Sequence, residues 1–218
     1  MLSLKLAPSA EPIRLLCLGA HPDDIEIGCG GTLLRLLAES RQWIVRWVVM
    51  SGSDERRAEA EASARRYLRA LPDAAWRIEL HRFRDGYFPA EIARVKDAFE
   101  ALHRAFEPDL VLTHARSDLH QDHRAVAELT HNTFRDHLVL EYEIPKYDGD
   151  LGNPNLFVPL DAAICERKCA GLVEHFRSQA RRRWFTPDTF MALLRLRGIG
   201  CNAPSGLAEA FYCRKAVL

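Results

Sequence analysis

Hydrophobic residues recur along this chain in two rhythms that take turns. The run IRLLCLG (13–19) is short, nearly continuous in apolar residues and closed by glycine, whereas GGTLLRLLAES (30–40) repeats apolar residues at helical spacing. The pair predicts strand, loop, helix. WIVRWVVMSGSD (43–54) is β-branched and aromatic up to a Ser/Gly/Asp cluster, and ERRAEAEASARRYLRAL (55–71) is an alanine-rich helix ended by Pro72. WRIELHRF (76–83) predicts a third strand, EIARVKDAFEALHRAF (91–106) a one-sided amphipathic helix stopped at Pro108, DLVLTHA (109–115) a buried strand and HRAVAELTHNTFRD (123–136) a fourth helix. Helices between apolar strands imply right-handed parallel crossovers in one sheet. The expected fold is α/β, a Rossmann-like and mostly parallel sheet with helices on both faces and strand order 3-2-1-4.

After Leu138 the rhythm changes. LVLEYEIPKYD (138–148) leads through the turn GDLGNPN to LFVPL, then to helices from about Asp161 to Arg183 and from about Asp188 to Leu196, and to a last apolar segment, AFYCRKAVL. No internal repeat or low-complexity linker separates this part. The expectation is one domain over 1–218, with a Rossmann-like core (1–137) and a C-terminal region (138–218) that caps it over the substrate.

Composition narrows the function classes. With 218 residues, 48% of them hydrophobic, the chain can bury a full core. Lys+Arg and Asp+Glu balance at 30 each, so no overall field draws it to nucleic acid or anionic lipid. The N-terminal apolar stretch is proline-broken and too short for a signal sequence, and no later segment is a long uncharged apolar run; this predicts a cytoplasmic protein without a membrane span. Cysteines 17, 29, 165, 169, 201 and 213 form no C-x-x-C pair and read as reduced structural residues. A homo-oligomer is compatible with all of this.

The chemistry sits in two polar clusters. AHPDDIE (20–26) follows the first strand and THARSDLHQDHRAV (113–126) the fourth. Ligands of doubly wound sheets bind beyond the carboxyl ends of the strands, where strand order reverses, and the order 3-2-1-4 makes these loops neighbours. Taken singly, each cluster reads as an ordinary turn or helix N-terminus. Together they suit one divalent cation: His21 and Asp24 offer a nitrogen and an oxygen from one tight loop, and an imidazole of the facing loop (His114, His120 or His123) completes a set typical of catalytic zinc. A cation also explains the adjacent carboxylates. Asp24 can ligate while Asp23 stays ionised as general base for a water at the metal. The glycines of GCGGT (28–32) miss a dinucleotide fingerprint, because Leu33 stands where the last glycine belongs; they are expected to close the loop and start the helix tightly. A nucleotide-binding module, a metal-dependent phosphoesterase and a catalytically silent scaffold are the rival readings.

AHPDDIEIGCGGTL with the downstream HQDH resembles the PIG-L/LmbE-type deacetylases, zinc-dependent enzymes of Rossmann-like fold that remove the acetyl group of an N-acetylglucosamine unit. The resemblance covers roughly residues 13–136 and thins out beyond. It implies that His21, Asp24 and His123 bind the metal, Zn2+ or another divalent ion such as Fe2+, and that Asp23 activates water. It implies that His120 steadies the tetrahedral intermediate or protonates the leaving amine, a proton that Asp23 can also return, and that Asp122 orients a neighbouring histidine. RRAE (56–59) and RDGYF (84–88) resemble the family's Arg-x-x-Glu and Asp-Gly, which implies that Arg56, with Arg57 as the alternative register, and Asp85 are substrate contacts. The family's TxGE is replaced by MSGSDE, with the acid displaced to Asp54 or Glu55. The implied activity is N-deacetylation of a small acetamido sugar, free or linked to a nucleotide, a lipid or another small molecule. Tyr142, Lys146 and Tyr147 are expected on a substrate wall, and HFRSQARRRWF (175–185) as a basic segment for a diphosphate.

Overall fold

In a computed structural model, residues 11–39 and 41–217 are described. The proline-broken stretch read at the N-terminus lies largely outside them. The elements run β1 (Ile13–Gly19), α1 (Asp24–Leu36), β2 (Trp43–Ser51), α2 (Asp54–Leu68), β3 (Trp76–Phe83), α3 (Ile92–Ala105), β4 (Leu110–His114), α4 (Gln121–Thr133), β5 (Leu138–Tyr142), β6 (Leu156–Pro159), α5 (Ala162–His175), α6 (Pro187–Gly200) and β7 (Ala208–Cys213). They build one sheet of order β3-β2-β1-β4-β5-β7-β6. The first five strands are parallel; β7 runs antiparallel to β5, and β6 antiparallel to β7. Residues after Leu138 therefore extend the same sheet by three strands.

Continuous apolar strands arise because both sheet faces are covered. Leu15 and Cys17 of β1 point into the core shared with α1, α2, α5 and α6, while Leu16 and Leu18 point into the opposite core with α3 and α4. Helix α3 buries Val95, Phe99 and Leu102, one stripe of its surface. All six cysteines are free thiols, five of them buried. Among the described residues, no helix is long and apolar enough to cross a membrane.

Two helix boundaries differ from expectation. The helix expected over 161–183 stops at His175 and gives way to a single 3-10 turn, Arg177–Gln179. Helix α1 begins at Asp24, so GCGGT lies within it and not in a loop before it. The reason is tertiary. The helix kinks at Cys29 (φ −142°), and the groups freed by the kink find partners far along the chain. Glu209 of β7 accepts the backbone N–H groups of Gly31 and Thr32 at 2.7 and 2.6 Å. Lys168 of α5 donates to the carbonyl of Ile27 and to Glu209, each at 2.6 Å. The glycines permit close approach: a Cβ on Gly28 would lie 2.1 Å from the Tyr142 ring, and one on Gly31 2.4 Å from Leu160. Any side chain there would push α1 off the sheet.

Removing one member of a buried ion pair leaves the other charge uncompensated. Lys168→Met is expected to destabilise the fold by about 3–5 kcal/mol in denaturant unfolding. A loss below about 1 kcal/mol would mean that the pair does not hold the kink.

Candidate functional site

The predicted loops meet. Parallel pairing of β1 with β4, Leu15 opposite Leu110 and Cys17 opposite Leu112, brings the chain leaving Gly19 beside the chain leaving His114. The first loop is wound tightly: the backbone N–H of His21 donates to Asp24 Oδ2 at 2.7 Å, and Asp23 sits at φ 94°. A non-glycine residue in that region is held there against local preference, a strain that clusters at functional sites. On the second loop His120 caps α4, its Nδ1 accepting the N–H of Asp122 at 3.3 Å.

Three residues form a triangle in which ring nitrogens of His21 and His123 face each other and the two carboxylate oxygens of Asp24. Nδ1 of His21 lies 3.1 Å from Nε2 of His123 and 3.4 Å from Asp24 Oδ2, and Asp24 Oδ1 lies 3.6 Å from Nε2 of His123. Tetrahedral bonds of about 2.0–2.1 Å separate adjacent ligand atoms by about 3.3 Å, so these spacings are of the size a small divalent cation needs, and the overlapping sets His21–His120–His123, Asp24–His114–His123 and His21–Asp85–Asp122 are spaced to hold one as well. The other ring nitrogens are engaged behind it. Nε2 of His21 faces Asp122 Oδ2 at 3.2 Å and Asp85 Oδ1 at 3.1 Å, and Asp122 is itself fixed by the N–H groups of Gly86 (2.6 Å) and Phe88 (3.1 Å). Nδ1 of His123 faces Asp118 Oδ2 at 2.9 Å. With Nε2 of His21 and Nδ1 of His123 turned to carboxylates, the opposite nitrogen of each ring is the one that faces Asp24.

The local field favours positive charge. Burial alone would depress His21, but hydrogen bonds to Asp122, Asp24 and Asp85 outweigh it and raise its pKa well above the ordinary histidine range. Burial, with His114 stacked alongside, lowers His123 to about 4. Burial opposes ionisation of Asp24, yet His123 and His114 hold it well below the carboxylate range. Asp23 differs: burial lifts it well above that range despite Arg56, and the charge of Asp24 adds to the rise. Adjacent carboxylates thus have opposite proton affinities, the separation that lets one ligate and the other move a proton.

Arg56 and Asp85 also lie beside this cluster. Arg56, and not Arg57, turns to the site, donating to the Pro22 carbonyl at 2.7 Å and pairing with Asp23 Oδ1 at 3.3 Å; Arg57 pairs with Asp54. Asp85, half-exposed, is within 3.8 Å of Arg56 and is lowered to about 2, chiefly by its bond to His21. Half-buried His120 is lowered by burial and by the charge of His21. Glu59 of the Arg-x-x-Glu motif holds Ser178 instead, through backbone N–H and hydroxyl at 2.9 and 2.6 Å.

Other features depart from the sequence reading. Tyr142 is no substrate wall: it is fully buried and donates to the Leu18 carbonyl at 2.5 Å, because β5 lies within the sheet. Tyr147 is exposed and meets the Trp184 ring edge-on at 6.4 Å, while Arg181, Arg182 and Arg183 point to solvent. His114, at the end of β4, has its Nε2 committed within the protein, 3.0 Å from the Ala20 N–H and 3.1 Å from Asp24 Oδ2, and so supports Asp24 from beneath. Asp118, behind His123, is a functional residue that the sequence reading does not single out. Its signal was present in SDLHQDH, where a further acid precedes the paired histidines.

Solved structures share the fold. The conserved protein TT1542 of Thermus thermophilus is 23% identical, with 94% of this chain and 95% of that one covered and a TM-score of 0.70. The N,N'-diacetylchitobiose deacetylase of Pyrococcus horikoshii is 22% identical over 92% of this chain and 83% of its own, TM-score 0.68. GalB of Pseudomonas putida, a 4-carboxy-2-hydroxymuconate hydratase, is 16% identical over 94% and 98%, TM-score 0.73. Among curated proteins no sequence matches. At these identities the likeness shows the fold, while the sequence itself shows more: residues 16–134, over half of the chain and both polar loops with it, match the family model PIG-L: GlcNAc-PI de-N-acetylase, and the chain belongs to that family.

Proposed function

We propose that this protein is a metal-dependent N-deacetylase that releases acetate and a free amine from an N-acetylated amino sugar of the N-acetylglucosamine type. The observation that carries the proposal is the triangle of His21, Asp24 and His123, with Asp23 strained at its edge. Two nitrogens and a carboxylate suit Zn2+, and the same donors suit Fe2+. A divalent cation held there would supply Lewis-acid activation of water and of the amide carbonyl.

The remaining work falls to the chain. Asp23, raised by burial and oriented by Arg56, takes a proton from the attacking water. Water adds to the acetyl carbon, the C–N bond breaks, and the amine leaves with a proton from Asp23 or from His120. His120, less buried than His21 and His123, would steady the developing oxyanion. Asp122 holds the His21 ring in orientation. Asp85 and Arg56 suit a sugar, the carboxylate accepting from ring hydroxyls. Tyr147, an exposed ring on the loop after β5, would offer an aromatic face to the group linked to that sugar, whether a nucleotide, a lipid or another small molecule. Six free thiols fit a reducing compartment, and we place the reaction in the cytoplasm.

The fold is shared with a hydratase, so acetate itself must be measured. Screening free, nucleotide-linked, lipid-linked and small-molecule-linked acetamido sugars with zinc supplied should yield acetate that disappears on chelation. Phosphate release, or turnover without acetate, would count against the proposal. Asp23→Ala is expected to keep its metal and lose about 10²–10⁴-fold in kcat, the range of general acid–base catalysis; near-parental turnover would remove Asp23 from the base role. His123→Ala should lose bound zinc by elemental analysis, and unchanged zinc content would break the ligand assignment.

A further inference from the structure

The loop between β5 and β6 (143–155) grips the site loop. Nζ of Lys146 lies 3.0 Å from Asp118 Oδ2 and 2.5 Å from Asp150 Oδ2, and Asp150 Oδ2 accepts the Leu119 N–H at 2.7 Å. Asp118 uses the same Oδ2 on Nδ1 of His123 and its Oδ1 on the backbone N–H of His120 at 2.8 Å. All three side chains are buried, with 8% exposure for Lys146, 2% for Asp118 and 6% for Asp150. The loop is also bolted at its base. Arg197 of α6 binds Glu143 through two nitrogens at 2.9 Å, and Glu143 accepts the Gly152 N–H at 3.0 Å.

Desolvating a lysine and two aspartates is costly, and closing a loop does not require it. The cluster ends on the one ring nitrogen of His123 that does not face Asp24 and His21. We propose that Asp118 is a positioning residue for His123 and that Lys146 in turn positions Asp118, so that the loop after β5 is a working part of the metal site. This rests on the reading of His123 as a ligand. An ionised Asp118 accepts the Nδ1 proton, which fixes the tautomer, aims Nε2 at the triangle and makes that nitrogen a better donor. Lys146 keeps a cation against Asp118 where water cannot, and fixes which oxygen faces the ring. The second oxygen, on the His120 N–H, keeps His120 and His123 in a set relation at the start of α4.

Three full-length variants test this: Asp118→Asn, Lys146→Met and the double variant. Zn2+ affinity is read by competition with a chromophoric chelator, and the His123 tautomer by imidazole 15N NMR on metal-free protein. Asp118→Asn is expected to weaken Zn2+ binding by about 10- to 100-fold and to abolish the Nδ1–H form of His123. Lys146→Met should weaken it too, with the double variant no worse than Asp118→Asn alone, since Lys146 acts through Asp118. Affinity within twofold of the parent and an unchanged tautomer in Asp118→Asn would overturn the Asp118 assignment, and additive losses would overturn that of Lys146. The parent protein supplies a test that needs no variant: His123 protonated on Nε2 contradicts the proposal. A parent that binds no Zn2+ would sink the metal reading instead, while its tautomer still reports on Asp118.

Discussion

Parallel pairing of β1 with β4 is the constraint on which the site depends. These strands are neighbours only because the chain crosses over after β3 and returns on the other side of β1, reversing the strand order. At that reversal two loops leave the sheet side by side with no helix packed between them, which opens a crevice. His21, Asp23 and Asp24 come from one lip, and His120, Asp122 and His123 from the other. Register matters as much as order. A shift of one residue would turn Leu16 and Leu18 towards the wrong core, so packing on both faces also fixes how far each loop projects.

Within the crevice the chemistry is one of division. Each histidine of the triangle faces it with one nitrogen and a carboxylate with the other, His21 through Asp122 and His123 through Asp118. Backbone N–H groups hold Asp122 and Asp118 in turn. Asp23 and Asp24 are adjacent and burial opposes the charge of both, yet Arg56 offsets it only in part at Asp23 while His123 and His114 overturn it at Asp24. The left-handed turn at Asp23 stores strain that the rest of the loop maintains: Ser51 binds the Ala20 carbonyl from β2 and Arg56 binds the Pro22 carbonyl from α2.

Much of this was legible in the sequence because it is local or periodic. Strands buried on both faces read as continuous apolar runs, α3 shows its stripe, and HPDD and HQDH stand out as polar clusters at strand ends. Arg56 and Asp85 were legible through motif likeness alone, since an arginine on an alanine-rich helix and an Asp-Gly turn carry little signal of their own. The true start of α1 was not legible. Gly28, Gly30 and Gly31 lower helix propensity, and the groups that satisfy the kink, Lys168 and Glu209, come from elements formed much later in the chain. Tyr142 looked like a surface aromatic in a turn-rich segment, but β7 pairs with β5 and closes the sheet over it.

By itself, then, the sequence determined the alternation of strands and helices, the expected order of the first four strands, and which residues carry nitrogen and oxygen donors, because hydrophobic period and side-chain chemistry are properties of neighbours in the chain. Tertiary structure alone decided which nitrogen of each ring faces the triangle, that Asp118 and His114 stand behind it, that Glu59 holds Ser178, and that the loop after β5 grips the site through Lys146. Those outcomes depend on the direction and burial of groups from distant segments. Distance, dielectric and hydrogen-bond geometry acquire values only when the sheet has brought those segments together.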